Sequence, residues 1–245
     1  MTERIYSTDS YARQMTARVL RVDADDRRLL LDRTVFYPGG GGQPHDVGAL
    51  WFGDDRLEVV RVTQDADGVW HWVDTATMPQ EGSEIRGELD WIRRHALMRT
   101  HTAMHALCGV VWERYRSPVT GGNMKPGEGR LDFDLPDWHP DDRTAIEEEL
   151  NRQLSLRRPV EIGFLPREEA DRDPSLIRTK VSLLPASIRT VRVVDIVGLD
   201  RQADGGTHVS DTGHVGLARI VKVESKGRGF RRIRVAVPDD PDPSP

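Results

Sequence analysis

From about residue 11 to residue 87, apolar and polar positions alternate in short runs, ARVLRV, RRLLLDRTVFY, GALWFG, RLEVVRVT and GVWHWV, separated by Asp, Gly and Pro. A period of two puts every second side chain on one face of an extended chain, so these runs predict short antiparallel strands that bury one face each. Together they predict a small β-barrel or sandwich. At Asp90 the period changes. DWIRRHALMRTHTAMHALCGVVWERY carries apolar residues three and four apart, with no Gly or Pro before Gly109, and predicts a long buried helix. The switch of period places a domain boundary there, giving a glycine-motif β-barrel domain over 1–89 and a second domain over 90–237.

In the second domain SPVTGGNMKPGEG reads as a turn-rich loop and RLDFDLP as a short strand. A helix is expected from about residue 141 to 157, capped by Asp141 or Asp142, with Ile146, Leu150 and Leu154 on one face. VEIGFL, SIRTVRVVDIVG, GLARIVKVES and RRIRVAV read as strands. The fold class expected is therefore α+β: an N-terminal small β-barrel, then an α+β domain with a mainly antiparallel sheet and one long helix. The Pro- and Asp-rich tail over 238–245 is expected to be disordered.

Composition narrows the class. The chain has 245 residues, of which 37% are hydrophobic and 31% charged, as in a soluble globular protein. No apolar run approaches the roughly 18 residues of a membrane span, so no membrane partner is expected. The start MTERIYSTDSYARQ has no leader pattern and the single cysteine, Cys108, excludes an internal disulfide, which together predict a cytoplasmic location. A net charge of -5 argues against a protein that coats DNA through an overall positive field, but leaves room for a local basic surface. Arg93, Arg94 and Arg99 at the helix start, and Lys222, Lys226, Arg228, Arg231 and Arg232 near the end, are the candidates for RNA phosphate contacts. An ordinary solvated charged surface is the plainer reading of such runs.

Candidate chemistry sits on the long helix and far downstream of it. His101 and His105 are four residues apart, so both imidazoles lie on one helical face within reach of one metal ion. Asp204-Gly205-Gly206-Thr207-His208 adds a carboxylate and a third imidazole around two glycines. Either pair alone can arise by chance or core packing as readily as from metal binding; both together make a candidate His, His, Asp, His site if the fold joins them. Thr102 stands where a zincin protease carries its catalytic Glu, which disfavours a metalloprotease. Cys108 lies seven residues from His101, roughly 10 Å along the helix axis, and is expected to be a small core residue instead of a further ligand.

DWIRRHALMRTHTAMHAL, RLDFD, DGGTHVSDTGHVGLARI and KGRGFRRIRV resemble the editing domain shared by alanyl-tRNA synthetases and the freestanding AlaX proteins, and RTVFYPGGGGQPHDVG resembles the glycine-rich motif of the barrel before it. The motifs run in family order from about Thr34 to Val235. With no aminoacylation domain in front, the resemblance implies a trans-editing, metal-dependent hydrolase that removes a wrong amino acid, serine or glycine, from the acceptor end of tRNA(Ala). It implies one zinc held by His101, His105 and His208, with Asp204 where the family normally has cysteine. Asp204 is then either the fourth ligand or a proton acceptor for water. The resemblance brings Gln43 to the pocket, although a plain glycine loop over Gly39–Gly42 is the simpler reading. Thr207 is a candidate hydroxyl beside the oxyanion, with backbone N–H groups from Gly205 to His208, and Asn123 a candidate contact to the amino acid or ribose. Met104 stands where synthetases often have threonine. Two rival readings remain: a non-catalytic RNA-binding protein with a structural zinc, and a hydrolase of the same fold acting on another aminoacyl-tRNA or a small ester.

Overall fold

The structure, a computed structural model, describes residues 2–75, 77–173, 176, 188–227 and 229–238. The chain forms two compact units, one running to His95 and the other starting at Ala96. The expected tail lies outside the described residues from 239 onward, as does Arg228.

In the first unit a two-residue strand β1 (Glu3–Arg4) precedes β2 (Gln14–Asp23), β3 (Arg28–Leu31), β4 (Arg33–Thr34), β5 (Gly48–Phe52), β6 (Asp55–Gln64), β7 (Val69–Val73) and β8 (Glu84–Leu89). Six of these close into a barrel in the order β2-β3-β7-β6-β5-β8, with antiparallel pairing throughout. Alternation does what the sequence pattern predicts: Met15, Ala17 and Val19 of β2 point inward to meet Leu29, Leu50, Val62 and Ile85, while the residues between them are exposed. β8 has no counterpart among the strand-like runs, because EIRGEL offers only Ile85 and Leu89 as apolar inward residues.

The run Gly39–Gly42 adopts positive φ at all four residues, 85°, 134°, 58° and 91°, a backbone path that only glycine follows without cost. The loop is not left loose. Gly40 and Gln43 exchange backbone hydrogen bonds of 3.0 and 2.9 Å, and the Tyr37 hydroxyl donates to the Gly40 carbonyl at 3.1 Å. Asp46 closes it, accepting from the Tyr37 N–H at 2.7 Å. The Asp46 carboxylate also binds Arg94, which is fully buried and donates further to Val35 O at 2.6 Å and Ser10 O at 3.0 Å.

The helix α1 (Trp91–Tyr115) begins with Asp90 Oδ1 accepting from the Arg93 N–H at 3.0 Å, and it is buried almost all round from Leu97 to Val111. In the second unit β9 (Val119–Lys125) and β10 (Glu128–Asp134) form a hairpin, followed by α2 (Asp142–Ser155), β11 (Val160–Pro166), the single turn α3 (Arg167–Ala170), β12 (Thr190–Ile196), β13 (Asp200–Ala203), β14 (Arg219–Ser225) and β15 (Phe230–Ala236). These make two antiparallel sheets, β14-β15-β10-β9 and β11-β12-β13. α2 starts at Asp142 and buries Ile146, Leu150 and Leu154, but Asp141 makes no capping bond. The expected loop over SPVTGGNMKPGEG is instead mostly the strand β9. Gly121, Gly122 and Asn123 are poor strand formers, and tertiary context overrides that weakness: Gly129 of β10 sits where a Cβ would press on Met104 of α1, 2.4 Å from Sδ, while a Cβ on Gly122 of β9 would reach Met104 Cε at an ordinary contact distance of 3.7 Å.

Candidate metal centre

His101 and His105 project from the buried middle of α1 and meet His208 and Asp204, which follow β13. The two distant segments do converge. Ring centroids are 5.1 Å apart for His101 and His105, 4.3 Å for His101 and His208, and 4.8 Å for His105 and His208. One ligand atom from each of the four residues lies within 4.8 Å of every other. Asp204 Oδ1 is 3.6 Å from His101 Nε2 and its Oδ2 is 3.2 Å from His208 Nε2.

Each group is held from behind. Thr102, one residue after His101, points its hydroxyl at His208 Nδ1 (3.1 Å) and accepts from the Val209 N–H at 3.3 Å. The position that would carry a protease's general base thus carries a ring support. His105 Nδ1 lies 3.0 Å from Asp200 Oδ2. The Asp204 carboxylate accepts from the Gly206 N–H at 2.6 Å, and Arg192 donates to the Asp204 carbonyl at 2.9 Å, with its guanidinium 3.9 Å from Oδ2. Asp200, Gln202 and Arg192 escape a motif search, although Asp200, Gln202 and Asp204 alternate and so share one face of the β13 segment.

Burial sets the protonation. It pushes His101 well below the usual imidazole range despite the attraction of Asp204, and it pushes His208 down to about 4 despite the Asp204 hydrogen bond. For His105 the same burial is outweighed by the hydrogen bond and charge of Asp200, so its pKa rises. Burial raises the Asp204 carboxyl, but the neighbouring imidazoles of His101 and His208 more than reverse this and hold it well below the carboxylate range. Two neutral imidazoles, a third whose outer nitrogen faces a carboxylate, and an ionised aspartate are what a divalent cation requires of its ligands. The donor set fits a metal ion.

Other expected site residues fall as follows. Thr207 is fully buried between Gly206 and His208. Gln43 is buried in the first unit. Asn123 is exposed and alternates with Gly122 and Met124, so it faces away from the side of β9 that meets Met104 and α1. Cys108 is buried, accepts from Gln202 Nε2 at 3.4 Å, and stands outside the four-residue cluster. The expectation that Arg94 and Arg99 contact RNA is overturned. Arg94 is enclosed with Asp46, and Arg99 is buried with its guanidinium on the Val215 carbonyl at 2.7 and 3.1 Å. Arg232 is paired with Asp132, and Lys222 with Glu224. No helix among the described residues is long and apolar enough to cross a membrane.

Residues 191–234 match the model of the threonyl and alanyl tRNA synthetase second additional domain, and residues 9–93 match that of the class II (A) tRNA synthetases. Over 239 residues the chain is 34% identical to the alanyl-tRNA editing protein AlaX-M of Saccharolobus solfataricus, covering 97% of this chain and 99% of that one. The chain belongs to the AlaX-M family. The AlaX-M protein of Methanosarcina barkeri is 33% identical over 98% of this chain and 100% of its own. The alanine--tRNA ligase of Pyrobaculum neutrophilum is 38% identical over 95% of this chain but only 26% of its own length, so this AlaX-M chain corresponds to a part of that synthetase.

Proposed function

We propose that this AlaX-M chain deacylates mischarged tRNA(Ala) in trans, with seryl-tRNA(Ala) as its main substrate and glycyl-tRNA(Ala) as a second, and with zinc as its resident ion. The observation that carries the reading is the meeting of His101, His105, Asp204 and His208 in a chain that matches AlaX-M relatives from end to end. These four residues would hold the ion, which when bound would supply a Lewis acid beside the ester. A carboxylate in place of a thiolate makes the donor set harder, so manganese and cobalt should compete better here than at a site with cysteine.

The surroundings of Asp204 support its role as ligand over that of base. Its Oδ2 already accepts from Gly206, and its two oxygens lie 3.6 Å from His101 Nε2 and 3.2 Å from His208 Nε2, among the other candidate ligand atoms. That bond also removes the Gly206 N–H from the donors available to a developing oxyanion. Thr207 then stands as the buried hydroxyl of the loop. A hydroxyl at this place can hydrogen-bond the seryl side chain, a contact that alanine has no group to make, which favours serine. The reaction is tested by deacylation of Ser-tRNA(Ala) and Ala-tRNA(Ala) with and without a chelator, using His101→Ala as control. Loss of seryl activity on chelation and in the variant is expected, with alanyl-tRNA largely spared. Full activity after chelation would remove the ion from the reaction, and equal rates on the two substrates would remove the role of Thr207.

A further inference from the structure

β13 and the residue that follows it present more to α1 than the ligand Asp204. Asp200 begins the strand, is 2% exposed, and places Oδ2 at 3.0 Å from His105 Nδ1 and 2.7 Å from Gln202 Nε2. Gln202 in turn reaches Cys108 of α1. The intervening Arg201 faces the other way, where it pairs with Asp173 and Asp195. So Asp200, Gln202 and Asp204, at every second position, face the helix that bears His101 and His105. A carboxylate on the outer nitrogen of a ligand imidazole keeps the proton on that nitrogen, fixes the ring's orientation, and raises its donor strength. Thr102 supports His208 by contrast with an uncharged hydroxyl.

We propose that Asp200 is a positioning residue of the metal centre, holding His105 with its proton on Nδ1 and Nε2 committed to the ion, while Gln202 holds Asp200. This rests on the cluster being a divalent-cation site. The test titrates the metal-free full-length chain with Zn2+ against a chromophoric chelator, for the parent, Asp200→Asn and Gln202→Met. Asp200→Asn should raise the Kd about 10–100-fold, since the amide can still accept a hydrogen bond but carries no charge, and Gln202→Met should raise it by less. Melting of the metal-free proteins reads out a merely structural role separately. An Asp200→Asn chain that binds Zn2+ as tightly as the parent overturns the role of Asp200 and leaves the cluster standing. A parent that binds no Zn2+, Mn2+ or Co2+ overturns both. If Asp200→Asn does not fold, 15N spectra of the histidine rings in the Zn2+-loaded parent decide: a proton on His105 Nδ1 is expected, and an ion on Nδ1 refutes the proposal.

Discussion

Replacing Arg94 by Met should cripple the stability of the chain without acting on RNA directly. Arg94 is 0% exposed and Asp46 1%, so neither charge is screened by water. The guanidinium lies against both Asp46 oxygens, with Nε at 3.1 and 3.0 Å, and satisfies the carbonyls of Val35 and Ser10. Removing it strands a carboxylate in the interior, and breaking one partner of a buried pair costs about 3–5 kcal/mol. Against a total stability of about 5–15 kcal/mol that is a fifth or more, and for a chain of this size it lowers Tm by roughly 6–20 °C. Urea unfolding followed by circular dichroism measures the loss. Arg94→Met/Asp46→Leu should recover much of it, because no unpaired charge remains and the two sites are in contact. A single variant within about 1 kcal/mol of the parent would refute the buried-pair account. If that stable variant also bound tRNA more weakly with a shallower salt dependence, the phosphate-contact reading of Arg94 would return.

Two further outcomes follow from packing and burial. Gly129→Ala puts a methyl group 2.4 Å from Met104 Sδ and 2.8 Å from Cγ, on the helix turn that holds His101 and His105, and should destabilise the chain by about 1–3 kcal/mol in chemical unfolding; in a Met104→Ala background the same change should cost less than about 0.5 kcal/mol, and equal costs in both backgrounds would show that the contact is not the cause. His71, buried in the barrel with Thr34 Oγ1 at 2.8 Å, has its pKa pushed by burial from 6.5 to about 4. The unfolded chain therefore takes up the proton first, and stability is lost as pH falls from 6.5 towards 4, by about 3 kcal/mol in all. His71→Gln should flatten the pH dependence of unfolding by that amount between those limits, and a variant with the parent's slope would place the titration elsewhere.

How much of the molecule is legible in the sequence follows from how regularly a face is buried. β2 alternates along its length, so its strand is readable, and α1 is readable because its apolar positions recur for several turns. The cluster is readable because i, i+4 spacing on a helix is local geometry. β9 is not, since GGNMK lacks strand-forming residues and is extended because β10 and Met104 require it. β13 is hidden for a related reason: its inward residues, Asp200 and Gln202, are polar because they face imidazole and sulfur rather than a greasy interior. Arg94 misleads through its charge, since arginine is rarely enclosed without a partner and that partner, Asp46, lies 48 residues earlier.

The alternation along β13 has a consequence for how this segment can vary. Exchanging a side chain there alters one contact, but inserting or deleting a single residue between Asp200 and Asp204 would reverse which of them looks toward α1. Length at this point should accordingly be far less negotiable than residue identity, and a library with random insertions through residues 199–204 ought to lose metal uptake at nearly every one while conservative replacements survive.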